Sequence, residues 1–142
     1  MLQRVLHARV EVQQRNIAEI GNGLLVLVAV EKNDNESKAA RLLERLLGYR
    51  VFPGSQGKMN LSLADINGGL LLVPQFTLAA DTRKGMRPGF SGAASPDLGQ
   101  KLFNYLIEKA RLNHCKVAHG QFGNDMQVSL TNDGPVTFYL QV

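Results

Sequence analysis

A single cysteine, Cys115, is all that this 142-residue chain contains, so no internal disulfide can form and nothing points to an oxidising compartment. Also missing are a Gly-x-Ser-x-Gly elbow, a His-Glu-x-x-His pair and a Cys-x-x-Cys pair. Serine-hydrolase and zinc-hydrolase readings therefore lack support. No metal cluster and no Rossmann-type phosphate loop can be read, and no cofactor is expected. The apolar stretch Leu24 to Val30 falls far short of the ~20 residues that span a bilayer. Met1-Leu2-Gln3-Arg4 leads straight into an alternating strand pattern rather than a signal-peptide core, so the cytoplasm is the expected compartment and no membrane partner is expected. Internal repeats, linkers and low-complexity segments are absent. The length suits one domain, residues 1–142, around one core. A net charge of +4 is mild; it suits a protein that visits a polyanion without identifying one.

What the chain does contain is a succession of short apolar patterns. Leu6, Ala8, Val10 and Val12 alternate with His7, Arg9, Glu11 and Gln13, the period of a half-buried strand. Ile17 to Ile20 reads as a second strand. After the turn Gly21-Asn22-Gly23, Leu24 to Val30 is continuously apolar, as in a central strand buried on both faces. Asp34 or Asn35 can cap a helix with Ala39, Leu42, Leu43, Leu46 and Leu47 on its core face, ending near Gly48. Tyr49 to Phe52 and Leu70 to Phe76 read as further strands. Ser95-Pro96 predicts a helix start, an N-cap followed by proline at the first helical position, with Leu98, Leu102, Tyr105, Leu106 and Ala110 as the core stripe. Strands near Lys116–Ala118, Met126–Leu130 and Val136–Gln141 finish the chain. The sum is an α/β domain of mixed, mostly antiparallel sheet with two packed helices.

Between strand and helix, Ala80 to Ala94 is rich in glycine and proline and holds Arg83, Lys84 and Arg87. A long loop inside a small domain is usually functional or mobile. The three histidines, His7, His114 and His119, lie outside the segments described next and read as surface or hydrogen-bonded structural residues.

Two segments carry the most chemical information: Pro74-Gln75-Phe76-Thr77-Leu78-Ala79 and Asn132-Asp133-Gly134-Pro135-Val136-Thr137. Together they resemble the paired signature of the D-aminoacyl-tRNA deacylases, which remove D-amino acids wrongly attached to tRNA. Gly57 to Ser62, Asp81 to Phe90 and Phe122 to Leu130 match the same family, so the resemblance runs along the whole chain. It implies sheets closing into a barrel-like layer, a homodimer, and aminoacyl-tRNA as substrate.

The resemblance also implies roles for particular residues. Gly134-Pro135 would be a cis dipeptide at a turn whose carbonyl oxygens reach into the partner's site, bind the substrate's α-ammonium and leave no room for an L side chain. By that logic glycine, with no side chain to exclude, passes the filter. Gln75, Phe76 and Thr77 would line the catalytic pocket, with the Phe76 and Thr77 amides stabilising the oxyanion. Thr77 is either a nucleophile or a positioning group, in which case the ribose hydroxyl of the tRNA's last adenosine assists water. Arg4 would brace the Gly-Pro turn, and Met126 would sit near the pocket or else pack in the core. By their place directly after the catalytic segment, Arg83, Lys84 and Arg87 either hold acceptor-end phosphates of tRNA or form a solvated charged face. Two residues depart from the family pattern: Pro74 and Gly89 each stand where serine is usual. Proline removes a donor N–H and requires a free edge or bulge at that point. Two other readings remain open, a tRNA-end-binding module without hydrolysis and an esterase with Thr77 as nucleophile.

Overall fold

The computed structural model describes residues 1–142. One mixed sheet dominates it. Strand β1 (Leu2–Val12) pairs antiparallel with β2 (Arg15–Ile20) and with β3 (Gly23–Val28). Helix α1 (Glu36–Gly48), a small β4–β5 hairpin (Phe52–Pro53 and Met59–Leu61) and a one-turn helix α2 (Leu63–Ile66) follow. Strand β6 (Gly69–Pro74) then returns parallel to β3, and after helix α3 (Pro96–Asn113) strand β7 (Val117–His119) adds parallel to β6. Strand β8 (Gln127–Phe138) closes the series antiparallel to β1. The result is an α/β fold with a nearly closed, barrel-like sheet and three helices rather than two. The additional helix, α2, is a single turn, too short to leave a periodic pattern in the sequence. No helix is long and apolar enough to cross a membrane.

Two apolar clusters lie on the two faces of the sheet. Leu24, Val26, Leu70 and Leu72 point to one face, where Leu43 and Leu46 of α1 and Phe103, Leu106 and Ile107 of α3 cover them. Leu25, Leu71 and Val73 point to the other, against Val5, Ala8, Val10 and Ile20. Alternate residues of β3 and β6 thus serve opposite faces, which is why both strands read as unbroken apolar runs. Asn35 caps α1 by accepting from the Lys38 amide at 3.0 Å, and Ser95 caps α3 by accepting from the Leu98 amide at 3.3 Å. Gly23 and Gly69 stand side by side where β3 and β6 begin; a Cβ on Gly23 would lie 2.0 Å from the Gly69 carbonyl oxygen.

The first strand departs from strict alternation. Val5 and Ala8 are buried, whereas Leu6 is 52% exposed. The register moves from Val5↔Asn132 to His7↔Thr131, so Leu6 is an extra residue opposite a single step of β8. Such a bulge shifts the phase of the pleat, so Val5, Ala8 and Val10 share one cluster while Leu2 joins the cluster on the other face.

Candidate active site

Strand β6 ends at Pro74 and delivers Gln75 to Thr77 at the sheet's rim. Pro74 is opposite Val28 of β3, but β7 pairs only with Leu70 to Leu72, so no ladder donor is needed from Pro74 on that side. The chain's next amide, Gln75 N, donates to Val28 O at 2.7 Å. The strand therefore stops two residues earlier than Phe76, and Phe76–Ala79 forms a 3-10 turn instead. The first amides of such a turn have no partner inside it. Leu78 N bonds Gln75 O at 3.2 Å and Ala80 N bonds Thr77 O at 3.2 Å, while the Phe76 and Thr77 amides make no such turn bond.

Phe76 is 58% exposed and is not a core residue. Its ring lies on Phe90, centroids 5.2 Å apart at 45°, and so joins the turn to the following loop. The Gln75 side-chain amide donates to the Thr77 hydroxyl, and Thr77 itself is exposed. An apolar cleft lined by Leu27, Ala29, Leu78, Ala79 and Tyr139 opens beside the turn.

The loop after Ala80 is an arm closed at its base. Asp81 N donates to Gly89 O at 2.7 Å and Gly89 N to Asp81 O at 3.0 Å. Asp81 also accepts from Arg83 through Nε at 2.9 Å and Nη2 at 2.7 Å. The Arg83 guanidinium holds the Asp81 carboxyl below the usual carboxylate range, and Arg83 is raised in turn. Arg83 is thus committed to its own loop. Lys84 and Arg87 are exposed and make no salt bridge.

The second segment is not a turn between two strands. It is a bulge inside one continuous strand, β8. Between Val5↔Asn132 and Gln3↔Thr137, β1 advances by two residues and β8 by five, so Asp133 to Val136 have no cross-strand partner. The Gly134-Pro135 bond is cis, and both residues are exposed. Arg4, with a side chain only 12% exposed, lies beneath them. Its Nε donates to Asp133 O at 3.0 Å and its Nη1 to Val51 O at 2.7 Å.

Within one chain the two segments stay apart. The bulge lies level with Gly23 to Leu25 of β3, whereas Gln75 is bonded to Val28 at that strand's far end. Three to five residues of rise, plus the three inter-strand steps from β8 to β6, put them about 17–22 Å apart as measured along the sheet.

With both segments located, sequence relationships become decisive. The family model described as D-Tyr-tRNA(Tyr) deacylase matches residues 1–141. The chain belongs to the D-Tyr-tRNA(Tyr) deacylase family. It is 63% identical over 142 residues to a D-aminoacyl-tRNA deacylase of Pseudomonas putida (strain F1), covering 100% of this chain and 98% of the relative. Its identity to a D-aminoacyl-tRNA deacylase of Janthinobacterium sp. (strain Marseille) is 58%, over 100% of this chain and 95% of the relative. A solved structure titled c-Myc DNA Unwinding Element Binding Protein superposes with a TM-score of 0.95 at 33% identity, covering 99% of this chain and 96% of that one. A probable eukaryotic D-amino acid tRNA deacylase shares the fold at 18% identity, with a TM-score of 0.82 over 94% of this chain and 93% of the other.

Several contacts around these segments emerge only from the structure. Phe90 supports Phe76, Asp81 anchors the arm, and the Val51 carbonyl takes half of the Arg4 fork. Asn132 lies inside the quoted signature, yet its contacts follow from the bulge and not from spacing. Met126 is half-buried: its sulfur accepts from Gln121 N at 3.4 Å, and Gly120 lies so near that a Cβ there would meet it at 2.8 Å. Each histidine is engaged locally: His7 with the Thr131 hydroxyl at 3.0 Å, His114 with Gly68 O at 2.6 Å, His119 with Gly120 O at 2.7 Å. The nearest side chain bonded to Thr77 is an amide, which is no base.

Proposed function

We propose that this protein hydrolyses the ester of D-aminoacyl-tRNA, releasing free D-amino acid and intact tRNA as a chirality check on translation in the cytoplasm. The full-length family match, with 63% identity to a relative of that name, carries this reading. The site geometry suggests how the reaction proceeds. Water adds to the ester carbonyl, the Phe76 and Thr77 amides receive the developing oxyanion, and the C–O bond to the terminal ribose breaks with a proton passing to the ribose oxygen. One such donor is typically worth about 2.7–4 kcal/mol in the barrier. The neighbouring free ribose hydroxyl assists the water, and Thr77, held by Gln75, positions the substrate. Lys84 and Arg87 meet acceptor-end phosphates.

Handedness is read by the Gly134 and Pro135 carbonyls of a second copy of the chain. They take the α-ammonium and occupy the space an L side chain needs. Distance supports two copies: the α-ammonium and the ester carbonyl of one amino acid are two bonds apart, far less than the intrachain separation of the two segments. A homodimer in which each bulge enters the other's site satisfies both.

Release of amino acid from D-tyrosyl-, L-tyrosyl- and glycyl-tRNA tests the reading. D-selective turnover with glycine accepted supports it. Binding without turnover would indicate a tRNA-end-binding module, and cleavage of L or non-RNA esters would indicate a general esterase.

A further inference from the structure

The bulge that carries Gly134 and Pro135 has lost its ladder bonds over four residues, Asp133 to Val136. An unpaired stretch of that length holds one shape only if other hydrogen bonds replace the ladder. Arg4 does so at the entry, through Asp133 O. At the exit the work falls to Asn132. Its Oδ1 accepts from Val136 N at 2.7 Å, and its Nδ2 donates to the Thr137 hydroxyl at 2.8 Å. Both ends of one side-chain amide are used, so Asn132 spans the bulge from the residue before it to the residue after it. Val136, fixed in this way, packs against Gly134: a Cβ at Gly134 would lie 2.7 Å from Val136 Cγ2 and 3.1 Å from Arg4 Nη2. The position of Val136 thereby limits where the Gly134 and Pro135 carbonyls can point.

We propose that Asn132 is a positioning residue for handedness discrimination: by bonding Val136 and Thr137 it sets the aim of the Gly134 and Pro135 carbonyls. This rests on the reading of those carbonyls as the handedness gate. Asn132 touches neither the ester nor the ammonium, so removing its bonds loosens the gate without removing the oxyanion donors, which sit on another segment.

The experiment compares kcat/KM for D-tyrosyl- and L-tyrosyl-tRNA in the wild type and in Asn132→Ala, Asn132→Asp and Thr137→Val. Asn132→Ala removes both bonds. Asn132→Asp keeps the acceptor for Val136 and can accept from the Thr137 hydroxyl in place of donating to it, so it is the conservative control, and Thr137→Val removes only the hydroxyl. The D:L ratio is expected to fall roughly five- to tenfold in Asn132→Ala, the worth of about one hydrogen bond, and less in the other two. Turnover of the D substrate is expected to change less than the ratio. Should Asn132→Ala fail to fold, the near-isosteric Thr137→Val carries the test. A D-selective wild type with ratios unchanged in every folded variant overturns the assignment of Asn132 alone. A wild type that cleaves both enantiomers equally overturns the gate itself.

Discussion

The Gln75 side-chain amide donates to the hydroxyl of Thr77. A nucleophilic hydroxyl must lose its proton to a base, and neither atom of a carboxamide is basic enough to take it. On the proposed reading the pair holds an oxygen in place. Thr77→Ala is expected to reduce kcat by about tenfold or less, the cost of one neutral hydrogen bond. A loss on the order of 10⁴-fold or more in single-turnover assays would instead mark Thr77 as a nucleophile.

Arg4 joins two carbonyls, Asp133 O and Val51 O, from a half-buried position. Arg4→Met leaves both without their charged donor, and a loss of roughly 1.5–3 kcal/mol is expected in urea denaturation. Arg4→Lys should recover only part of it, because an ammonium cannot reproduce the planar fork.

The arm between Asp81 and Gly89 presents Lys84 and Arg87 unpaired, whereas Arg83 is held by Asp81. Tightness of tRNA binding should fall linearly with the logarithm of salt concentration. Lys84→Ala and Arg87→Ala are each expected to reduce that slope by about one phosphate contact, roughly 0.7–0.9. Filter binding at several salt concentrations measures it; slopes equal to wild type would remove both residues from the interface.

Asp65 closes a capping box on α2: Ser62 N donates to its carboxylate at 2.8 Å, and Ser62 Oγ accepts from Asp65 N at 3.1 Å. The Ser62 backbone bond is the main cause of a carboxyl pKa below the ordinary value, reinforced by the Ser62 side chain. A carboxyl depressed in the folded state contributes stability above its unfolded pKa and loses it as pH falls through the folded one. Wild-type protein should therefore lose more stability than Asp65→Asn on going from pH about 5 to pH about 2. Denaturant midpoints at stepped pH provide the measurement, and parallel acid limbs would count against the box.

Much of this fold is legible in the sequence where a local rule acts alone. Leu24 to Val30 reads as a strand buried on both faces and Leu70 to Phe76 as a further apolar strand, because the strands found there, Gly23–Val28 and Gly69–Pro74, serve both apolar clusters. Asn35 and Ser95 announce their helices because capping is chemistry within four residues. The reading loses accuracy wherever partner strands decide. Leu6 looks like a core residue by alternation, yet a bulge against β8 turns it outward. The end of β6 looks apolar through Phe76, but Gln75 takes the last bond from Val28 and Phe76 leaves the sheet. Gly134-Pro135 reads as a turn because glycine and proline usually punctuate; the long pairing of β8 with β1 on both sides of it makes it a bulge instead. The signature residues themselves were visible, but the contacts of Asn132 depend on a register that no single segment encodes.

Because the bulge is mounted in the middle of a strand, its two ends are fastened to the same neighbour, at Val5 and at Gln3. It cannot swing as a hinged flap does, since any large excursion would unzip β1 from β8. On the proposed reading, a selector built in this way would work as a rigid template, with no closing step to wait for and the same obstruction for a substrate of the wrong hand on every encounter.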